Sequence, residues 1–406
     1  MSDARILSPH TLYPPLLAGA AALVVVHALG RFAFTPLLPW LIADQQLSLE
    51  QGARLATWNY AGYLAGALAA VQLHTPARIR RALPLALLGN ALCTLAQGFT
   101  EHYTALVVLR LLNGLSNGLV FVLAPALVLE WLVRRQRADL SGLVYLGFAT
   151  GLLVSNGLAN LPATHLQGAA RWWPMAALAL PLALASARFL YRLPLEPLPG
   201  GPAPASPSAA TRLLGPDSIP LFLAYAGAGL GYILPVTFLP TLASELLPAG
   251  DPLITSAWQW AALACMAGIP LWNHLGARLG DRTALCATYA LQALGAAAPL
   301  LWPDQTGILL CALLVGGTFA GSVLLTQRLA RHLRPHQGPR LSAALIALYG
   351  SAQLAGPWLA GYWLARGGSL AQSFALGAAA LLWAWFWSWR TPAQPVSPAG
   401  VQSPGV

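Results

Sequence analysis

Arg31 stands in the run V-V-V-H-A-L-G-R-F-A-F-T-P-L-L-P-W-L-I at 24–42, which is otherwise apolar enough and long enough to cross a bilayer. A guanidinium in hydrocarbon costs about 3 kcal/mol on insertion scales and about 10 or more in simulations, so it faces a bundle interior or a wet cavity. His27 lies one helical turn earlier on the same face. A buried cation can hold an anionic group, and an imidazole titrates near neutral pH, which makes His27 the candidate for proton coupling. Arg110 is a second intramembrane arginine, in R-L-L-N-G-L-S-N-G, with Asn113 and Asn117 continuing its face at i+3 and i+7. Asn59 and Tyr63 share a face in W-N-Y-A-G-Y-L-A-G-A-L, as do Tyr349 and Gln353 in A-L-Y-G-S-A-Q-L-A-G-P. Each group suits the wall of a polar pathway, and each equally suits a hydrogen bond that holds neighbouring helices together. Every Asp and Glu lies in a loop or at the end of an apolar run, so no carboxylate sits at mid-depth. There is no G-x-x-x-x-G-K-[ST] loop, no nucleophile–base pair and no metal-ligand cluster. No enzymatic activity, cofactor or metal is therefore expected.

The elements that must position these groups are transmembrane helices. Hydrophobic residues make up 57% of the chain and charged residues 8%, where soluble domains carry about 25% charged. The mean hydropathy is +0.61, so the chain is an integral membrane protein. Spanning takes about 20 apolar residues, and twelve such runs are predicted, near 17–42, 53–73, 82–99, 104–131, 139–161, 171–191, 218–246, 253–276, 284–302, 306–330, 341–365 and 369–389. Pro36 and Pro39 interrupt the first run, each removing a backbone donor whose carbonyl partner must be satisfied elsewhere. A Pro/Gly/Ala-rich interval follows the sixth run and reads as a linker. The predicted organisation is an N-terminal six-helix bundle at 1–193, a cytoplasmic linker at 194–216, a C-terminal six-helix bundle at 217–391 and a disordered tail at 392–406.

All 22 basic residues are arginine and the net charge is +10, a balance that in a soluble chain suggests nucleic acid. Here loop placement explains it. With the N-terminus inside, 17 arginines fall in inner segments, while Arg54, Arg171 and Arg366 fall in outer loops. The positive-inside rule then places both termini in the cytoplasm, and no nucleic-acid partner is expected. The first apolar run has no small-residue cleavage site behind it and reads as a retained helix. Cys93, Cys265, Cys286 and Cys311 lack metal or redox spacing and read as small buried hydrophobes. Trp40, Trp131, Trp172, Trp173, Trp302 and Trp389 fall near run ends and read as interface belts, and Glu130 with Arg134 reads as an inner-rim ion pair.

The halves repeat one another. Gly30–Pro39 aligns with Gly231–Pro240, Trp58–Ala61 with Trp258–Ala261, Leu140-Ser141 with Leu341-Ser342, and Gly114/Gly118 with Gly317/Gly321, all at offsets of 200 to 203. Four matches in order describe a parallel repeat about the membrane normal, with a site near the midplane between the halves. The alignment sets Tyr232 opposite Arg31, and a cation facing a phenol suits a carboxylate-bearing solute. The bland alternative is that Arg31 pairs with helix-end carbonyls and only locks the bundle.

Twelve spans, a central linker and two six-helix halves resemble the major facilitator superfamily across the whole chain. Within it, G-R-F-A-F-T-P-L-L-P at 30–39, N-Y-A-G-Y-L-A-G-A-L at 59–68, G-Y-I-L-P-V-T-F-L-P at 231–240 and Y-G-S-A-Q-L-A-G-P at 349–357 are similar to the YbfB/YjiJ-type bacterial transporters. The resemblance implies an inner-membrane secondary carrier that works by alternating access. The superfamily's loop signature after the second span is reduced here to H-T-P-A-R-I-R-R. Its partner after the eighth survives as G-A-R-L-G-D-R at 276–282, so the resemblance implies gating roles for Asp281 and Arg282. The fourth-span pattern of an arginine and spaced glycines is present at Arg110, Gly114 and Gly118, whereas the fifth span lacks the antiporter-associated Gly-Pro.

The expected protein is a monomeric carrier in the lipid bilayer. It takes a small anionic or zwitterionic substrate between spans 1, 4, 7 and 10, with Arg31, Arg110 and Tyr232 as main polar groups. Two alternatives stay open, an exporter of amphipathic or toxic compounds and a membrane sensor of the same fold that does not transport.

Overall fold

A computed structural model describes residues 9–73, 76–133, 135–162, 166–193, 214–333 and 338–392. All regular structure in them is helical. The first span is α1 (Pro9–Leu23), a π-helical stretch (Val24–Phe32) and α2 (Phe34–Ala43). There follow α3 (Leu49–Val71), α4 (Pro76–Gln97), α5 (Tyr103–Val133), α6 (Leu146–Ala159) behind a 3-10 stretch, and α7 (Trp173–Tyr191). The second half holds α8 (Ile219–Leu246), α9 (Pro252–Leu279), α10 (Asp281–Leu301), α11 (Gln305–Leu333), α12 (Gly338–Leu364) and α13 (Leu370–Arg390). Each of the twelve predicted runs falls on one of these elements. Most of the predicted linker and tail, and Arg134 of the predicted pair with Glu130, lie outside the described residues.

Among the described residues, eight helical segments are long and apolar enough to span a membrane, the first running from Leu12 to Ala43. The other four predicted spans are α3, α6, α9 and α12, and these are the helices that meet across the halves, α3 against α12 and α6 against α9. A helix that faces protein rather than lipid need not be apolar all round. The first span adds a third cross-half contact through α2 against α8.

Lipid tails give no hydrophobic drive between helices, so packing depends on close backbone approach. In the first half a Cβ on Gly114 would strike the Asn59 carbonyl, and one on Gly118 the Tyr63 carbonyl; Gly62 and Gly66 make the reciprocal contacts with Leu111 and Leu115. The corresponding α9–α11 pair closes at Gly268 against the Gly317 carbonyl and at Gly316 against Ala261. The tight position is thus Gly316 and not Gly317, whose Cβ would sit 3.7 Å from Ala264. Between α9 and α10 the chain turns on Gly280 alone, at φ 84°, a left-handed conformation that glycine adopts without strain.

Two sequence readings are corrected. Trp131 and Trp172 are buried inside the bundle rather than at a lipid interface, whereas Trp173, Trp302 and Trp389 are exposed. Cys265 and Cys311 are buried, but Cys93 and Cys286 are only half-buried.

Candidate functional site

Arg31 and His27 lie on the π-helical stretch, whose wider turn is marked by the Ala33 N–H reaching the Ala28 carbonyl at 2.7 Å. Such stretches are rare and concentrate at functional sites. Arg31 is 3% exposed. Its guanidinium lies 4.5 Å from the Tyr60 ring centre, 4.3 Å from Tyr63 and 5.0 Å from Phe32. Nη2 donates to Gln353 Oε1 at 3.1 Å, and Gln353 Nε2 donates to the Tyr232 hydroxyl at 2.5 Å. Arg31 and Tyr232, which the repeat sets opposite one another, are linked through Gln353. Arg31 Nε has no hydrogen-bond partner among the described residues, and no carboxylate there lies within ion-pair distance.

His27 faces a different set. Its Nδ1 pairs with Asn117 Oδ1 at 2.8 Å, and its ring stacks on Phe121 at 4.3 Å. Phe32, Tyr63 and Phe148 complete an aromatic box. Tyr63 is the shared wall between this box and Arg31.

Arg110 has first-half neighbours, and its Nε, like that of Arg31, has no hydrogen-bond partner among the described residues. Nη1 donates to the Gly30 carbonyl at 3.0 Å, beneath the Phe34 ring at 4.5 Å and near Trp172 at 5.9 Å. Asn59 Nδ2 bridges the Arg110 carbonyl and Asn113 Oδ1. Asn113 Nδ2 in turn reaches Thr94, and Asn90 Nδ2 reaches the Asn113 carbonyl and Ser116. These amides tie α3, α4 and α5 together, and Gly30 admits them, because a Cβ there would strike Asn90 and Asn113. Asn59 and Tyr63 thus face different partners, the first towards α5 and the second towards Arg31.

The second half supplies an aromatic wall. Phe319, Tyr232, Tyr349 and Tyr225 stack in series, with successive ring centres 5.7, 5.3 and 4.3 Å apart. Two further bonds cross the halves here, Tyr60 OH to Thr237 Oγ1 at 2.9 Å and Thr35 Oγ1 to the Val236 carbonyl at 3.2 Å. The second has a covalent cause: Pro240 has no N–H to return to residue 236, and Thr35 satisfies the carbonyl left open. Alongside the predicted residues, Tyr60, Thr237, Phe121 and Phe148 belong to the cluster. Tyr60 was legible as a neighbour of Tyr63; the others carry no signal beyond being apolar or small. The predicted lining spans all contribute, the first through Arg31, the fourth through Asn117 and Phe121, the seventh through Tyr232 and the tenth through Phe319, but so do the second through Tyr60 and Tyr63, the fifth through Phe148 and the eleventh through Gln353 and Tyr349.

At the arginine-poor end, Trp40 Nε1 donates to Asn160, and Asn156 and Asn160 both donate across the halves to the Thr255 carbonyl at 3.1 Å. Asp44 pairs with the buried Arg171 and accepts from the Gly168 N–H at 2.8 Å. The bond from Arg171 holds the Asp44 carboxyl below its ordinary value against an opposing effect of burial. At the arginine-rich end, Asp281 pairs with Arg328 at 3.1 Å and Arg282 Nη1 donates to the Thr391 carbonyl at 3.4 Å. Both bonds stay within the second half. A cavity of about 770 Å³ lies between α3 and α12, walled by Trp58, Trp358, Tyr362 and Leu354, with Arg54 and Tyr103 also at its edge.

Comparison with known proteins gives one family and a common fold. The family described as "Uncharacterised MFS-type transporter YbfB" matches residues 23–387. A mutant of the nucleoside transporter NupG superposes with a TM-score of 0.72 at 14% identity, covering 93% of this chain and 99% of that one. A D-xylose–proton symporter superposes with a TM-score of 0.66 at 16% identity, over 93% and 98% of the two chains. At these identities the two structures share the fold.

Proposed function

The chain belongs to the YbfB-type family of MFS transporters, and from that premise we propose that it is a secondary active carrier of a small anionic or zwitterionic solute. In this reading it works by alternating access in the bacterial inner membrane, with both termini cytoplasmic. Residues 1–193 and 217–391 rock against one another about the midplane, joined by 194–216.

One observation carries the proposal. Arg31 is buried between the halves with aromatic faces and a neutral amide as partners, and its Nε is left over. Burying an ion without a full counter-charge costs several kcal/mol. A substrate carboxylate supplies the missing partner, and Tyr63, Tyr349 and Gln353 shape the pocket around it. Arg110, held to the Gly30 carbonyl, positions the π-helical stretch, while Asn59, Asn113 and Asn117 fix the helices and the His27 ring. His27 couples transport to protons from the next turn. Asp281 and Arg282 stabilise the second half's inner loop as part of the gate.

Counterflow in proteoliposomes with a panel of carboxylates and amino acids tests the reading. Exchange of an anionic solute is expected in the wild type, and Arg31→Gln should weaken its binding by about 2–5 kcal/mol, the usual cost of removing one partner of a buried charged pair. Unchanged affinity would remove the anion argument, and binding without exchange would mark a sensor. A protonophore should abolish accumulation, and His27→Gln should uncouple it.

The cavity between α3 and α12 supports a second reading, export of amphipathic compounds. Its tryptophan and tyrosine walls suit an apolar ligand body better than a small anion. Transport of aromatic cations that survives Arg31→Gln would favour it.

A further inference from the structure

Among the described residues, Arg31 hydrogen-bonds to the second half through a single neutral amide. The orientation of that amide is set by its neighbours. A guanidinium can only donate and so demands the oxygen of Gln353, while the nitrogen turns to the Tyr232 hydroxyl. Tyr232 is itself fixed between Phe319 and Tyr349 in the aromatic stack. Gln353 is therefore pinned on the second-half wall with its acceptor aimed at Arg31.

A carboxylate binds a guanidinium best through two parallel bonds, and charge-assisted bonds are about twice as strong as neutral ones. Side-on binding needs Nε and one Nη. Nε is without a partner, whereas Nη2 is held by Gln353. Nη2 has two N–H groups, of which Gln353 holds one, so an anion that takes Nε and Nη2 brings its oxygen up beside the amide oxygen on the same nitrogen and competes with it for the guanidinium. We propose that Gln353 is a surrogate acceptor. It holds the guanidinium and ties the π-helical stretch to α12 in the unliganded protein, and the substrate's carboxylate evicts it on binding.

This rests on the anionic-substrate reading above and adds to it a link between occupancy and gating. Eviction breaks a cross-half bond that carries a charge and leaves neutral ones nearby, Tyr60 to Thr237, Thr35 to Val236, and the asparagines to Thr255. The amide suits the role because it is a competent acceptor that a carboxylate outcompetes. A glutamate at 353 would satisfy Arg31 permanently.

The test uses the full-length protein in detergent, with the four native cysteines replaced by alanine and spin labels at Leu161→Cys and Ala249→Cys. These two positions are exposed on opposite halves at the arginine-poor end. Distances are read by pulsed electron resonance, and binding by thermal shift with acetate, lactate, succinate and benzoate as probes. Gln353→Leu is expected to add a longer-distance population without any probe and to bind the stabilising carboxylate more tightly than wild type. Gln353→Asn, one methylene too short to reach both partners, should shift the distances in the same direction and covers the case of a misfolded leucine variant. Gln353→Glu should keep the short distance and weaken carboxylate binding by about tenfold or more. Weaker carboxylate binding by Gln353→Leu would overturn the proposal by making the amide a direct ligand. Unchanged distances in both shortened variants would overturn the tie between halves. If no carboxylate binds the wild type while the distances still shift, the anion reading and the eviction fall together and the tie alone stands.

Discussion

The two halves share a frame and differ in chemistry. Both pack their central helix pair through glycines set against a neighbour's backbone, at Gly114 and Gly118 in the first half and at Gly268 and Gly316 in the second. Inside those frames the first half buries His27, Arg31, Arg110 and Arg171, whereas the one buried charged side chain described in the second is Asp281. At the position equivalent to Arg31 the second half has Tyr232, and at the position equivalent to His27 it has Ala228. Helix contacts in lipid constrain size at the seam and leave polarity elsewhere open. One half can therefore hold a cation while the other presents an uncharged wall to it. On the carrier reading proposed above, a site with one charged side takes its counter-charge from the substrate.

The sharpest break in the shared frame is at the glycines. Gly114→Leu should prevent folding, because its side chain would have to pass through the Asn59 backbone, while Gly317→Ala, with 3.7 Å of room, should leave the melting temperature within a few degrees of wild type. Expression and thermal melts in detergent check both. Equal effects would mean that the halves do not close at the positions described.

The polar contents of the halves should respond differently to removal. Asn113→Leu removes an acceptor from Asn59 Nδ2 and a donor from Thr94 Oγ1 and the Asn90 carbonyl, and should cost about 1–3 kcal/mol, the loss of several buried hydrogen bonds. Tyr349→Phe keeps its ring between Tyr225 and Tyr232 and should cost under about 1 kcal/mol. Reversed magnitudes would show that the second half relies on its hydroxyls and not on stacking.

The Asp44–Arg171 pair gives the first half a pH-dependent tie that the second half lacks at the corresponding helix ends described. Because the folded-state pKa of Asp44 is lowered, its contribution is complete above the ordinary value of 3.8 and is lost as pH falls below it. Asp44→Asn should lower stability by about 2 kcal/mol at neutral pH and flatten the acid limb of a melting-temperature profile. An unchanged acid limb would assign that limb to other carboxylates. The smallest effect is expected at Thr35→Val, which opens the Val236 carbonyl again and should cost about 0.6 kcal/mol, the average for such bonds in membranes.

The sequence by itself determined the helical runs, their repeat and the residues too polar for lipid, because a bilayer penalises each unsatisfied backbone group and each exposed charge so strongly that few arrangements survive. It also marked Tyr232 as the counterpart of Arg31, since a repeat carries position even where it does not carry residue type. It did not reveal the π-helical turn, the bond from Arg31 to Gln353, or the different surroundings of two arginines that look alike in their runs. Those depend on what stands opposite each side chain. Residues 322 positions apart in the chain meet at Arg31 and Gln353, and no local pattern records that distance. Only the tertiary structure put Arg110 against a carbonyl of its own half and Arg31 against an amide of the other, because what a long side chain reaches depends on which helix the fold sets opposite it.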